Sequence, residues 1–150
     1  MFEVRMLLED KVLRLAIPYM DSVTFSAAER ICQAFNHEHD VGRWAELNWE
    51  LHACLYEAAQ RSFLMSLIRS VHDTQERYLR MQVRLSAGKE RVDHEHRGLL
   101  EACRSGDVEH ATRLLQEHIA GVCKTLFEHL PRSRQAGPSG PGATPGPVVP

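Results

Sequence analysis

The chain has 150 residues, 43% hydrophobic and 25% charged, with a formal net charge of -2, a composition typical of one soluble globular domain. A free-standing DNA-binding domain usually carries a cluster of Lys and Arg, so this charge argues against nucleic acid as a direct partner. No apolar run approaches the roughly 18 residues of a membrane helix, and the N-terminus lacks the apolar core of a signal peptide. We therefore expect a cytoplasmic protein with no membrane contact.

Proline marks the boundaries of the predicted domain. Six of the seven prolines lie between Pro131 and Pro150, in a glycine-rich segment with almost nothing apolar to bury. We predict a disordered tail over residues 131–150. Residues 19–130 contain no proline, which favours long helices, so the folded domain is predicted to cover residues 1–130.

The spacing of apolar residues predicts six helices in chain order. They cover about Phe2–Ile17, Phe25–Phe35, Val41–Ala59, Phe63–Leu85, Lys89–Arg104 and Val108–Leu130. The sequence contains no alternating strand pattern and no internal repeat. Helices joined by short links favour an all-α fold, an antiparallel bundle.

Four residues are predicted to begin or end these helices. Thr24 and Asp40 are candidate N-caps of the second and third helices. Gly106 suits the left-handed position that ends the fifth helix, and Asp107 can cap the sixth.

Polar residues interrupt the apolar stripes of three predicted helices. Asn48 and His52 lie four residues apart on the stripe of the third helix, so they are neighbours in space. His96 precedes two leucines of the fifth helix by three and four residues, and His118 falls within the stripe of the sixth. Three imidazoles and one amide are therefore predicted to face the core.

A lone inward histidine is usually a satisfied core residue, but three on separate helices of one small bundle indicate a shared site. Burial of polar groups costs several kcal/mol unless each finds a partner, and one divalent metal ion satisfies all of them. Imidazole suits Zn²⁺, Ni²⁺, Cu²⁺ and Fe²⁺, and bundle cores commonly hold such sites. We expect Zn²⁺ or Ni²⁺ bound by His52, His96 and His118, with Asn48 as a weak fourth ligand.

Arg5 is a further inward polar residue, three and seven residues before Leu8 and Val12 on the stripe of the first helix. A buried arginine needs an anion. One interpretation is an ion pair with Glu9, one turn later, or a side chain that reaches solvent. The other is a clamp for a carboxylate ligand.

Two other residues near these stripes are interpreted differently. His72 shares a face with Ile68 and Leu79, and whether it only packs there stays open. Glu95 is adjacent to His96 and is expected to point elsewhere, which leaves no obvious general base on the inward faces. The sequence therefore favours a binding domain over an enzyme.

Three segments carry a resemblance to a known family. The opening FEVRMLLEDKVLRLA looks like the first helix of the FadR C-terminal (FCD) domains of GntR-type bacterial transcription regulators. The segment ELNWELHACLYEAA is similar to the D-x-x-x-H helix of that family. The segment EHRGLLEACRSGDVEHATRLLQEHI resembles its closing pair of helices almost position for position. The resemblance covers about residues 2–130.

The resemblance implies a metal centre and an effector site. In the metal-binding group of these domains, one Asp and three His hold a metal ion, and a small organic acid binds beside it. By position the ligands are Asn48, His52, His96 and His118, although Asn48 stands where the family has Asp. Arg5 matches the effector-facing arginine. The fourth helix lines the same pocket in the family, and two residues of its inward stripe are candidates for the same role, Tyr78 and Gln82.

The resemblance also implies function and partners. We expect an effector-sensing and dimerisation domain that binds a small carboxylate or hydroxy-acid and forms a homodimer. The family places a winged helix-turn-helix before this domain, and residue 1 already lies at the first helix of the sensor, so DNA is expected as a partner only through that absent domain. Two alternatives stay open: a metal-dependent hydrolase-like enzyme, and a helical interaction module without metal.

Overall fold

The computed structural model describes the backbone of residues 2–82 and 88–129, and the side chains of these residues except 77–82, 123 and 125–129. The helices are α1 (Phe2–Ala16), a 3-10 turn (Ile17–Tyr19), α2 (Ser22–His37), α3 (Val41–Glu57), α4 (Ser62–Gln82), α5 (Lys89–Ser105) and α6 (Val108–His129). No strand occurs within the described ranges, and the predicted all-α fold is confirmed. The predicted tail and the predicted helix ends at Leu85 and Leu130 lie outside them.

The start of α2 and the end of α3 differ from the prediction. Asp21 caps α2, because its extended backbone lets the carboxylate accept hydrogen bonds from the N–H groups of Val23 and Thr24. The predicted cap Thr24 is therefore wrong, and α2 begins three residues before Phe25. Helix α3 ends at Glu57 rather than Ala59, since the chain turns towards α4 through Gln60, which has a positive φ of 52°.

The other predicted caps are confirmed. Asp40 accepts a hydrogen bond from the N–H of Arg43 at 2.8 Å, which begins α3. Gly106 adopts the left-handed conformation with a φ of 74° and ends α5. Asp107 then accepts from the N–H of His110 at 3.0 Å, so α6 begins after a single turn. This short connection holds α5 and α6 side by side.

Helix α1 lies along the bundle and packs against α3, α4 and α6. The amide of Gln116 donates to Asp10 at 3.2 Å, and Arg14 donates to Thr112 at 3.1 Å. Residue numbers rise along α1 as they fall along α6, so these two helices are antiparallel. Because α1 packs against three helices, its inward side chains lie in the interior that α3, α4 and α6 also line.

The apolar interior divides into two clusters. The larger one is built from side chains of all six helices; its fully buried members include Val12, Leu13, Leu51, Leu55, Ile68, Leu99, Leu115 and Ile119. The smaller one joins α2, α3 and α5 through Phe35, Leu47 and Val92. Among the helices of the described ranges, none combines the length and apolarity needed to cross a membrane.

We predict that Gly106→Ala and Gly98→Ala change stability in opposite directions. An added Cβ meets no atom within 4 Å at Gly106, so the cost there comes from the left-handed backbone, about 1 kcal/mol. Gly98 lies inside α5, where the new methyl group meets Leu114 at an ordinary 3.9 Å. Alanine there favours the helix by about 1 kcal/mol. Urea denaturation of both variants measures the difference, and equal midpoints would contradict the cap assignment.

Candidate metal centre

Three imidazoles meet at the centre of the bundle. His52 on α3, His96 on α5 and His118 on α6 are all at most 2% exposed. Their ring centroids are 5.1 to 5.5 Å apart, and one nitrogen from each ring lies within 4.8 Å of the others. The structure thus brings together the three histidines that the sequence analysis placed on separate inward stripes.

The hydrogen bonds of these rings orient them towards one another. Nδ1 of His52 lies 3.1 Å from the hydroxyl of Tyr56, and Nδ1 of His118 lies 2.7 Å from a carboxylate oxygen of Glu95. Nε2 of both rings, and both nitrogens of His96, are buried without a hydrogen-bond partner. Metal-binding histidines characteristically use the second nitrogen to bond an oxygen in this way. The unpartnered nitrogens therefore fit a shared cation.

Burial also sets the protonation state of the cluster. Burial, followed by the neighbouring imidazoles, lowers the pKa of His52 well below its ordinary value. Burial and then the charge of His118 have the same effect on the pKa of His96. Both rings are neutral at neutral pH, and neutral imidazole is the form that binds metal ions.

Asn48 lies one turn before His52 on α3 and is half-buried. Its amide nitrogen lies 3.4 Å from Nε2 of His72, so the carbonyl oxygen is the end left for a cation. His72 is itself buried, against the ring of Trp49 at 4.9 Å, and burial lowers its pKa to about 3. The role of His72 that the sequence left open is therefore a contact with Asn48 and Trp49.

Arg5 and Glu9 form an ion pair in the interior, with side chains only 2% and 1% exposed. Arg5 also donates through Nη1 to the amide oxygen of Gln75 at 3.0 Å, while its Nη2 is buried without a partner. Glu9 accepts a second hydrogen bond from the hydroxyl of Tyr56 at 2.5 Å. The ion pair that the sequence analysis considered thus forms, and one nitrogen of Arg5 remains available.

The structure does not test two of the residues that the sequence analysis predicted to line an effector site. Tyr78 and Gln82 lie on α4, but their side chains are outside the described residues. Gln75, one turn before Tyr78, does face the interior and is 1% exposed.

The sequence analysis missed Tyr56 and misplaced Glu95. Tyr56 lies four residues after His52, so the helical spacing already made it a neighbour of that ring. Glu95 was expected to point away because it is adjacent to His96, yet its carboxylate crosses to His118 on α6. A long side chain at the edge of the stripe reaches a neighbouring helix, and only the distance between the helices reveals this.

We predict that the metal-free protein loses stability in mild acid. In the unfolded chain a histidine has a pKa of about 6.5. As the pH falls below that value, the histidines of the unfolded chain become protonated. In the folded protein His52, His72 and His96 stay neutral, because burial lowers the pKa of each ring. The free energy of unfolding then falls by up to ~1.4 kcal/mol per pH unit for each such ring.

Urea denaturation of chelator-treated protein at about pH 7.5 and about pH 5.5 tests this prediction. His96→Phe should reduce the slope of the free energy of unfolding against pH by the contribution of one proton, up to ~1.4 kcal/mol per pH unit. His94→Gln is the matched control on the same helix, because His94 is exposed. A free energy of unfolding that is the same at both pH values would contradict the prediction.

The chain is similar to known proteins over most of its length. The family model of the FCD domain matches residues 1–121. No curated protein matches the chain significantly. The chain is similar to a solved structure described as a transcriptional regulator, a GntR family member, from Pseudomonas syringae pv. tomato str. DC3000. The two are 29% identical with a TM-score of 0.74, over 85% of this chain and 54% of that chain.

This chain therefore spans about half the length of that regulator. The matched family is one of regulators rather than enzymes, in agreement with the sequence-based prediction. Because the family model covers most of the chain, this protein belongs to the FCD domain family.

Proposed function

We propose that this domain senses a small organic acid beside a divalent metal ion, as the effector-binding and dimerisation part of a GntR-type transcription regulator. The observation that carries the proposal is a set of buried imidazole nitrogens without hydrogen-bond partners, contributed by three helices. A buried polar atom without a partner costs about 1–3 kcal/mol, so an interior with several of them is suited to a bound cation.

We propose that His52, His96 and His118 hold Zn²⁺ or Ni²⁺, with the carbonyl oxygen of Asn48 as the weak fourth ligand. Nitrogen-rich donor sets suit these ions. When bound, the ion supplies a positive acceptor for a carboxylate oxygen of the effector. Tyr56 and Glu95 keep two of the rings in the orientation that presents Nε2.

The effector would lie between the metal ion and α1. Nη2 of Arg5 and Nε2 of Gln75 are buried donors without a partner, and they belong to two side chains joined by a hydrogen bond. A carboxylate accepts from such donors readily. Tyr78 and Gln82 remain proposed contributors, because they follow Gln75 by one and two turns on the same face of α4.

The hydrolase alternative finds little support in this geometry. A general base must be free to take a proton from a water molecule. The carboxylate nearest to the cluster, that of Glu95, already bonds both His118 and Arg91. DNA reading is proposed for a separate winged helix-turn-helix domain of the regulator, since the chain has no basic excess for that task.

We predict that the purified chain, without an affinity tag, binds about one equivalent of Zn²⁺ or Ni²⁺. His96→Ala should lose most of this metal, because it removes the ring with both nitrogens unpartnered. His94→Ala, an exposed position on the same helix, should keep it. Elemental analysis of the three proteins is the measurement. Absence of metal from the parent protein after incubation with either ion would favour the metal-free interaction module instead.

Self-association is the second part of the proposed function. Large apolar side chains are exposed on α1 and α4, two helices that pack against each other. They are Val4, Leu7, Phe63 and Leu67, and Leu7 and Phe63 are 72% and 76% exposed. We propose that these exposed apolar side chains belong to the surface that contacts a second copy of the chain.

We predict a dimer by light scattering at roughly tens of micromolar protein. Leu7→Glu combined with Phe63→Glu should give a monomer, because four charges would then meet at the apolar contact of the dimer. Val23→Glu is the control, since Val23 is equally exposed but lies on α2. A parent protein with the mass of a monomer, or a dimer that survives the double change, would contradict this surface.

A further inference from the structure

Two routes of hydrogen bonds lead away from the histidine cluster, and they end in different surroundings. From His52 the route runs through Tyr56 to Glu9, and all three side chains are at most 1% exposed. From His118 it runs to Glu95 and on to Arg91, whose side chains are 25% and 41% exposed. The second route therefore reaches the surface, where its outer residue can be replaced without opening the core.

The carboxylate of Glu95 bridges one ring of the cluster and a guanidinium. One of its oxygens lies 2.7 Å from Nδ1 of His118, and the other accepts a hydrogen bond from Nη1 of Arg91. An ionised carboxylate can only accept hydrogen bonds, so in a neutral His118 ring the proton must lie on Nδ1. Nε2 of His118, which is buried without a hydrogen-bond partner, then carries the lone pair that a metal ion requires.

Glu95 needs a second contact to stay in this position. Its side chain has several rotatable bonds and is partly exposed, so water competes for the carboxylate. Arg91 lies one turn earlier on α5 and holds the oxygen that His118 does not use. An ion pair between two partly exposed side chains contributes little to folding stability. What this pair fixes is the direction of the Glu95 carboxylate.

Gly121 on α6 provides the space for this guanidinium. A Cβ added at Gly121 would lie 2.5 Å from Nη1 of Arg91, the same atom that bonds Glu95, and 3.4 Å from Cζ of Arg91. Glycine is less favourable than alanine inside a helix, so its place in α6 calls for a reason of this kind. Gly98 in α5 differs, because a Cβ there meets Leu114 at an ordinary 3.9 Å.

We infer that Arg91 is a positioning residue of the metal centre and that Gly121 makes the room it needs. The guanidinium, lying against the backbone of α6, holds the carboxylate of Glu95, and Glu95 fixes the tautomer and the direction of the His118 ring. Both residues act through this route and stand outside the proposed donor set. The inference rests on the proposed function, since it takes His118 as a metal ligand.

The test measures the Zn²⁺ affinity of the full 150-residue chain by competition with a chromophoric chelator. Arg91→Ala and Gly121→Ala should each bind Zn²⁺ about tenfold more weakly than the parent, as expected when the partner of a metal ligand is released. The double variant should be no weaker than either single variant, because both changes remove the same contact. Losses that add up would show that Gly121 acts by another route and would contradict the pairing of the two residues.

Two matched controls lie on α5. Arg97→Ala also removes an ion pair within that helix, but the partner of Arg97 is Asp93, at 2.9 Å, rather than a residue bonded to His118. Gly98→Ala adds the same methyl group at another helical glycine. Both variants should bind Zn²⁺ like the parent. A tenfold loss in either one would mean that general changes in the helices set the affinity, and the inference would be wrong.

A second measurement follows the His118 ring itself. Nitrogen NMR shifts of its imidazole in the metal-free chain at neutral pH report which ring nitrogen carries the proton. The parent should carry it on Nδ1, whereas Arg91→Ala and Gly121→Ala should show a mixture of the two tautomers. A loss of Zn²⁺ affinity with an unchanged tautomer would place the effect outside His118 and overturn the inference.

The parent protein separates the two levels of the proposal. If it binds no Zn²⁺, the proposed function fails and the inference fails with it. If it binds Zn²⁺ and both variants keep its affinity and its tautomer, only the inference fails.

Discussion

The contact between three imidazole rings at the centre of the bundle is the constraint on which the rest of the interior depends. A helical bundle normally fills this volume with aliphatic side chains, whose burial needs no partner. Here the same interior that buries Leu51 and Leu99 also buries imidazole nitrogens without partners, which is unfavourable for the isolated protein chain. An interior of this kind is stable when the surrounding packing holds the rings in place and a cation satisfies them together.

The surrounding polar side chains extend this constraint to α1. His52 bonds the hydroxyl of Tyr56, which bonds Glu9, which in turn pairs with Arg5. Helix α1 is therefore joined to the cluster by a continuous set of buried hydrogen bonds. A ligand that binds at Arg5 would act on the same helix. Coupling to another domain still requires two conformations with different affinity for that ligand.

The neutral amide of Asn48 distinguishes this centre chemically. Position 48 contacts His72, and His72 packs on Trp49, so the layer around the cluster is aromatic on this side, whereas Glu95 contacts His118 on another. An aromatic layer excludes water and strengthens electrostatic interactions inside it.

Local rules in the sequence were sufficient for the helices, most of their caps and the inward position of the three histidines. Periodicity of 3.6 residues assigns a face to each residue, and Gly106 and Asp107 have backbone preferences of their own. The start of α2 was not decided locally, because Asp21 and Thr24 are both good N-caps and lie within one turn. The interior position of the Arg5–Glu9 pair, the contact of Glu95 with His118 and the engagement of Gln75 were decided only by the tertiary structure. These contacts depend on the separation and rotation of neighbouring helices to within a few ångströms, and the periodicity of a single helix carries no information about either quantity.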